Sequence, residues 1–265
     1  IAEAVATLPP VESEDEWIWL LHDDSAPEND ALEKLLEAVV DRPNIAMVGP
    51  KILGWNDRKH LLEVGISIAR NGARWTGLED HEYDQGQHDG IFEVLSVSTA
   101  GALIRRSVFE ELGGFDEKLD LFRDDVDFGW RVHSAGQSVI VNTDAVVYHA
   151  EAAASERREV DVDEAFLHRP HLLDRRNAAY VLLTNSTWWM LPLITLQLVG
   201  AAVIRAIGYL FAKLPGYASD EMLALFRLFT RPDLVRAGRK WRKEDRLVSP
   251  RIVTRFMPSR LIQLL

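Results

Sequence analysis

Three groups of side chains in this 265-residue sequence can do chemistry. His22, Asp23 and Asp24 close a short apolar run, WIWLLH. Acids at the carboxyl end of a strand lie where α/β folds bind ligands. Two such carboxylates can hold Mg2+ or Mn2+ and leave coordination sites for a diphosphate. The same residues also suit a solvated acidic turn that caps the next helix. Asp124, Asp125 and Asp127 crowd the start of a helical stretch in FRDDVDFGWRVHSAG. A helix N-terminus favours anions, so capping is the plain alternative there. Three acids exceed what one cap needs, and one can act as a general base towards a hydroxyl. Asp127 and Arg131 are four apart and can pair along the helix. His149 ends the apolar run AVVYH. Alone, a histidine at a strand end is as readily structural as a ligand.

These residues need elements to position them. Residues 17–22 read as a buried strand, and residues 23–29 as a loop containing Pro27. Asp30 is placed to cap a helix, ALEKLLEAVV, with Leu32, Leu35, Leu36 and Val39 on one face. The turn DRPN leads to a second strand, IAMVGPKIL. LLEVGISIAR and ARWTGL flank Asn71-Gly72, a strong hairpin signal. Residues 79–90 are acidic and poor in apolar residues, which predicts a mobile surface loop. Residues 92–99 read as a strand, and 107–112 as a short helix stopped by Gly113-Gly114. Residues 124–135 read as a helix stopped by Gly136, and SVIVN and AVVYH as two further short strands. Strands alternating with helices argue for an α/β layered domain. The hairpin makes its sheet mixed rather than purely parallel.

Composition narrows the function. The chain is 47% apolar and 27% charged, which excludes a disordered chain. It has no cysteine, so disulfides, thiolate metal sites and cysteine nucleophiles are excluded. The net charge is −11, but from Ala201 onward thirteen Lys/Arg face five Asp/Glu, so the first 200 residues carry −19. An acidic body does not suit general nucleic-acid binding. Residues 177–204 hold no formal charge over 28 positions and include WWMLPLITLQLVGAAVI. That is long enough to cross a bilayer core, which takes about 20 residues. Trp188-Trp189 suit an interface belt. Residues 222–229 are amphipathic, and RAGRKWRK is strongly basic. This predicts a helical, membrane-associated region over 161–265, with a candidate transmembrane helix at about 188–210 and its basic flank on the cytoplasmic side.

The motifs together resemble glycosyltransferase family 2 with a GT-A fold, of the actinobacterial cell-envelope type, over roughly residues 17–158. WIWLLHDDSAP resembles the family's strand, DxD-type motif and following proline. SVSTAGALIRRSVFEELGGFDEKL is similar to its acceptor-side segment, and FRDDVDFGWRVHSAG to its acidic helix motif. VVYH followed by Ser155 resembles its late histidine segment.

The resemblance implies a GT-A (Rossmann-like) mixed sheet over residues 1–160 and a role for each residue. Asp24 falls on the last acid of the DxD motif, and Asp24 and His149 would contact the metal, Mn2+ or Mg2+. Asp23 would lie near the nucleotide ribose or the donor sugar. His22 stands where an acid or asparagine is more usual, and would ligate the metal or hydrogen-bond the donor. Asp125 would be the catalytic base, and Asp124 would position the acceptor hydroxyl. Trp130 and Arg131 would support the helix or the donor diphosphate. The implied partners are a nucleotide-sugar donor, a lipid-linked or polysaccharide acceptor and the cell membrane. The implied reaction is metal-dependent, inverting transfer in cell-envelope glycan synthesis. The family normally opens with nucleobase-binding strand-turn-helix units, whereas 21 residues precede His22 and the chain starts at Ile1. The expectation is a piece of a longer protein, N-terminally truncated and weak or inactive on its own. The competing reading is a non-catalytic, membrane-attached scaffold with a degenerate transferase fold. A phosphohydrolase fits less well, because its usual His/Asp constellations are absent.

Overall fold

Short apolar runs and the polar turns between them build a mixed sheet, and the longer apolar stretches that follow build packed helices. The computed structural model describes residues 1–13, 15–119, 121–150 and 169–258. Among them the strands are β1 (Trp17–Trp19), β2 (Ser25–Pro27), β3 (Ile45–Gly54), β4 (Leu61–Glu63), β5 (Ser67–Ile68), β6 (Arg74–Trp75), β7 (Ile91–Glu93), β8 (Leu103–Arg105) and β9 (Ser138–His149). The α-helices are α1 (Ala2–Ala6), α2 (Ala31–Glu37), α3 (Arg106–Glu111), α4 (Asp124–Ser134), α5 (Pro170–Asn185), α6 (Leu191–Phe211), α7 (Pro215–Phe229) and α8 (Pro232–Glu244). Ser155 and the boundary expected near residue 160 lie outside the described residues.

The sheet runs β1-β8-β3-β9-β2, with β4 added on β3 and β7 on β9. β3 and β9 are parallel, and the other pairs in this sheet are antiparallel. β3 is buried at every position, as a central strand covered on both faces should be. The two strands expected over 138–149 are one strand. Pro50 pairs with Asn142 and Lys51 with Val146, so β9 advances four residues where β3 advances one. Proline has no N–H to give the ladder, and the irregularity falls where that bond would be missing. The Asn71-Gly72 hairpin forms, as a separate two-stranded sheet of β5 and β6.

Two local expectations change. Asp30 makes no cap bond and pairs with Lys34 instead, at 2.8 Å. α2 packs through Ala31 and Leu35, with Val39 buried just beyond its end, while Leu32 and Leu36 are exposed. Residues 79–90 are tied down rather than loose: the buried Lys51 ammonium donates to Asp84 at 2.8 Å and to Asp89 at 2.6 Å.

α4 is the hub. Phe128 and Val132, four apart, pack into the sheet core with Met47 and Val141. Val126 and Trp130, also four apart, pack into a second core with Tyr180, Leu182, Ile194 and Leu198 of the helical part. Gly129 lets the helix press onto residues 95–96, since a methyl there would come within 2.6 Å of the Ser96 Cβ. Asp127, fully buried, closes the joint. It accepts from Arg131 Nε at 2.9 Å, from Arg242 at 2.7 Å and from Asn185 at 2.7 Å. Arg242 also pairs with Asp116 at 2.7 Å. The basic stretch expected to face a membrane is therefore partly internal: Arg242 is 3% exposed, and Arg239 donates to the Leu183 and Ser186 carbonyls.

The charge-free run also divides. Its first part, residues 177–186, is buried around α5. Among the described residues one helical stretch, Trp188–Phe211, is long and apolar enough to cross a membrane. Its mean hydropathy is 1.9 and only 22% of its most apolar part is buried. Trp188, Leu196, Ile204 and Phe211 are each more than two-thirds exposed.

Removing Arg242 leaves two carboxylates buried without their main cation. Arg242→Ala is expected to destabilise the fold by about 3–5 kcal/mol, measured by denaturant unfolding. A loss below about 1 kcal/mol, the level of a surface ion pair, would contradict this role.

Candidate functional site

β2 runs antiparallel to the end of β9, with Ser25 opposite His149. That register carries Asp24 alongside His149, and the Ala150 N–H donates to the Asp24 carbonyl at 3.0 Å. The turn before β2 is held by Ser25, whose hydroxyl donates to the His22 carbonyl at 2.9 Å and accepts from the His22 N–H at 3.1 Å. Three side chains then converge. His149 Nε2 lies 3.0 Å from Asp24 Oδ1 and 3.4 Å from His22 Nδ1. His22 Nδ1 lies 4.0 Å from Asp24 Oδ1.

The donor set suits a divalent cation. Ligands about 2.1 Å from a metal at right angles sit about 3 Å apart, close to the shorter separations here. Two imidazoles and a carboxylate on one face also leave positions open for further ligands. His22 Nε2 is anchored to Thr99 Oγ1 at 2.9 Å, which leaves Nδ1 facing the other two groups. Burial and then the neighbouring His149 push the His22 pKa below its ordinary value, towards the neutral imidazole that binds metals. Asp23 is exposed beside this cluster.

The acidic helix start is built separately. Phe122 and Arg123 both take left-handed backbone conformations, with φ of 65° and 70°. Such positions cost about 1–3 kcal/mol and persist only where the surroundings enforce them. Here Arg123 is 2% exposed and its guanidinium grips Asp174 of α5 at 2.6 and 3.0 Å. α4 is thereby started at a fixed angle, and the Ser96 hydroxyl donates to the Asp125 carbonyl at 2.6 Å. Asp125 Oδ1 accepts from the Val126 N–H at 2.7 Å, and Oδ2 lies 3.5 Å from Arg74 of the hairpin. Arg74 also pairs with Glu63. The Asp124 carboxyl is pushed up to about 7, by burial and then by the charge of Asp125. Asp125 also acts on His22, favouring its charged form, but less than burial, His149 and Asp24 do.

Arg131 and Trp130, expected to support the helix or the donor diphosphate, are committed to the helix. Arg131 is 5% exposed, and its guanidinium is committed to Asp127 and to the Leu112 and Gly114 carbonyls. It secures α4 and does not face the cluster. Trp130 is 2% exposed and packs against the helical part. Sequence reasoning missed Arg74, Glu63 and Thr99. The hairpin signal located Arg74, but nothing local marks it as a partner of Asp125.

A profile described as glycosyltransferase like family 2 matches residues 2–161. Over 140 residues, 49% of the chain, the sequence is 39% identical to the O-antigen biosynthesis protein RfbC of Myxococcus xanthus, covering 10% of that protein. Over 93 residues, 34% of the chain, it is 33% identical to an N-acetylglucosaminyl-diphospho-decaprenol L-rhamnosyltransferase of Mycobacterium tuberculosis, covering 27% of that protein. The chain thus spans only a minor part of the length of the curated relatives it matches. A looser likeness, TM-score 0.43 at 12% identity, is to a crystal structure of GalNAc-T7 with UDP, GalNAc and Mn2+. It covers 63% of this chain and 31% of that one.

Asp124 also predicts a pH dependence. Its folded pKa lies above the ordinary value of 3.8, so the native state holds this proton more tightly than the unfolded chain does. That contribution is present at low pH and is lost as pH rises from about 4 through about 7. Asp124→Asn cannot ionise. Its melting temperature relative to wild type is expected to be higher at pH 8 than at pH 4.5. A difference that does not change with pH would contradict the shift.

Proposed function

The chain belongs to glycosyltransferase like family 2, and from that premise we propose that it transfers a sugar from a nucleotide-sugar donor to a lipid-linked or glycan acceptor in cell-envelope synthesis. What carries the reading is the convergence of His22, Asp24 and His149 near the acid pair at the start of α4, all within the matched residues. His22, Asp24 and His149 would hold Mn2+ or Mg2+, with Asp23 beside them towards the donor. When bound, such an ion neutralises charge on a departing nucleoside diphosphate.

The chain's own carboxylates do the rest. Asp125 takes the proton from the acceptor hydroxyl as that oxygen attacks the anomeric carbon. The attack comes from the face opposite the leaving diphosphate, so the configuration at that carbon inverts. Asp124, whose pKa burial and the charge of Asp125 raise, orients the same hydroxyl by hydrogen bonding. Arg74 holds Asp125 in place from the hairpin side. The exposed apolar stretch Trp188–Phe211 fits attachment to the cytoplasmic face of the cell membrane, where a lipid-linked acceptor is anchored. The names of both relatives above agree with cell-envelope glycans as the product class.

The test is sugar transfer from a panel of radiolabelled nucleotide sugars to membrane-extracted lipid acceptors, by the full-length protein that carries these residues and its Asp125→Asn variant. Transfer is expected to need a divalent cation and to fall by about 10²–10⁴-fold in the variant. Undiminished transfer by Asp125→Asn, or by protein held in excess chelator, would overturn the assignment. A full-length protein that binds donor but transfers nothing would favour the scaffold reading.

A further inference from the structure

The stretch Trp188–Phe211 is long and apolar enough to cross a bilayer, yet one face of it is already occupied. Ile194, Leu198, Ala202 and Ala206 are buried at successive four-residue steps along α6. That face meets α5 and the Asn71-Gly72 hairpin. A Cβ added at Gly72 would lie 3.5 Å from Ala178 of α5 and 3.5 Å from Leu198 of α6, so the hairpin tip is seated between the two helices. The hairpin also carries Arg70 and Arg74. Were α6 to stand across a bilayer, these charges would be drawn towards hydrocarbon with it, at high cost.

Arg205 bolts the arrangement together. Its guanidinium donates to Glu221 of α7 from Nε at 3.0 Å and from Nη2 at 2.9 Å, and to the Asn71 carbonyl at 3.4 Å. Glu221 is 1% exposed and also pairs with Arg175 of α5 at 2.9 Å. Arg205 and Glu221 lie equally far from the turn between α6 and α7, so the two helices form an antiparallel pair crossed by this ion pair. Breaking it would leave a carboxylate buried without its main cation.

The opposite face has a different character. Leu196, Ile204 and Phe211 of α6 are exposed, as are Met222, Phe226 and Phe229 of α7, spaced by four and three. From residue 186 to 230 the only acids are Asp220 and Glu221, both buried, whereas Lys213 and Arg227 are exposed. Trp188 and Trp189 are exposed at one end, with Arg251 lying over the Trp189 ring, 4.3 Å from its centroid. Apolar side chains, interfacial tryptophans and cations without exposed acids suit a lipid surface. A second copy suits it poorly, because Lys213 and Arg227 would meet their own kind.

We propose that α6 and α7 lie in the plane of a membrane, with their outer faces sunk into its headgroup boundary, and that α6 does not cross it. The hairpin seated on α6 carries Arg74 to Asp125, so this docking also sets the height of the acid pair above the lipid. The inference is independent of the transferase reading, since neither the His/Asp cluster nor the acid pair takes part in it.

The test uses the full-length protein that carries these residues, reconstituted in sealed phosphatidylglycerol-containing vesicles. These 265 residues hold no cysteine. Thr187→Cys and Ala212→Cys therefore place one thiol at each end of α6, and the unsubstituted protein gives the background. A membrane-impermeant maleimide is expected to reach both thiols from the same side. Reaction from opposite sides would show a span and overturn the proposal. Nitroxides on Leu196→Cys, Ile204→Cys and Phe226→Cys, all exposed positions, are expected to collide with oxygen but not with an aqueous nickel chelate, at one shared depth of about 5–10 Å. A depth of about 15 Å at residue 204, midway through a ~30 Å core, would overturn it. So would weak collision with both reagents, which would mean that protein covers this face, or free collision with the chelate, which would mean that water does.

Discussion

One buried charge holds the molecule's two halves in register. Asp127 is fully inaccessible, and its carboxylate is matched by Arg131 from its own helix and Arg242 from α8. Burial alone would raise an acid's pKa, but the two guanidiniums more than offset it and hold Asp127 below the ordinary carboxylate range. The pairing is intolerant of loss, because a partner removed leaves a naked charge in a low-dielectric core. It fixes α4 against the helical part, and the acid pair sits on the same first turn of α4. The geometry of the candidate site is thus set partly by residues more than a hundred positions away.

The site depends on long-range pairing in the same way. Asp24 and His149 are 125 residues apart in sequence and meet only because β2 lies antiparallel on the end of β9. Thr99 then turns His22 towards them. The hairpin adds Arg74 to Asp125. Each contribution is modest, but together they place two kinds of chemistry, metal-type ligands and a paired acid, within electrostatic reach of each other.

Much of this was legible in the sequence, and what was not has physical reasons. The acidic helix, the hairpin at Asn71-Gly72 and the central strand around Val48 are local patterns that local rules read well. The mixed α/β class follows from their order. Charge, in contrast, does not say which way it faces. RAGRKWRK reads as a membrane-facing stripe, yet Arg242 turns inward to Asp127 and Asp116. Arg131 reads as a helix partner of Asp127 or a donor-side cation, and its guanidinium goes to Asp127, as the i,i+4 spacing allows, and to two carbonyls that the spacing does not reveal. Thr143-Asp144 reads as a break between strands, but the β3 neighbour absorbs it as an irregularity at Pro50. Such outcomes are decided by tertiary partners that no window of sequence contains.

The central claim is that two imidazoles and one carboxylate from separate segments form a single divalent-cation site. Electron spin-echo spectroscopy of bound Mn2+ tests it most directly, because nitrogen nuclei of coordinated imidazoles modulate the echo. The account predicts nitrogen couplings from two histidines, reduced to one in His22→Ala or His149→Ala, with binding lost in Asp24→Ala. Mn2+ bound with no nitrogen coupling, or couplings unchanged in both histidine variants, would contradict it.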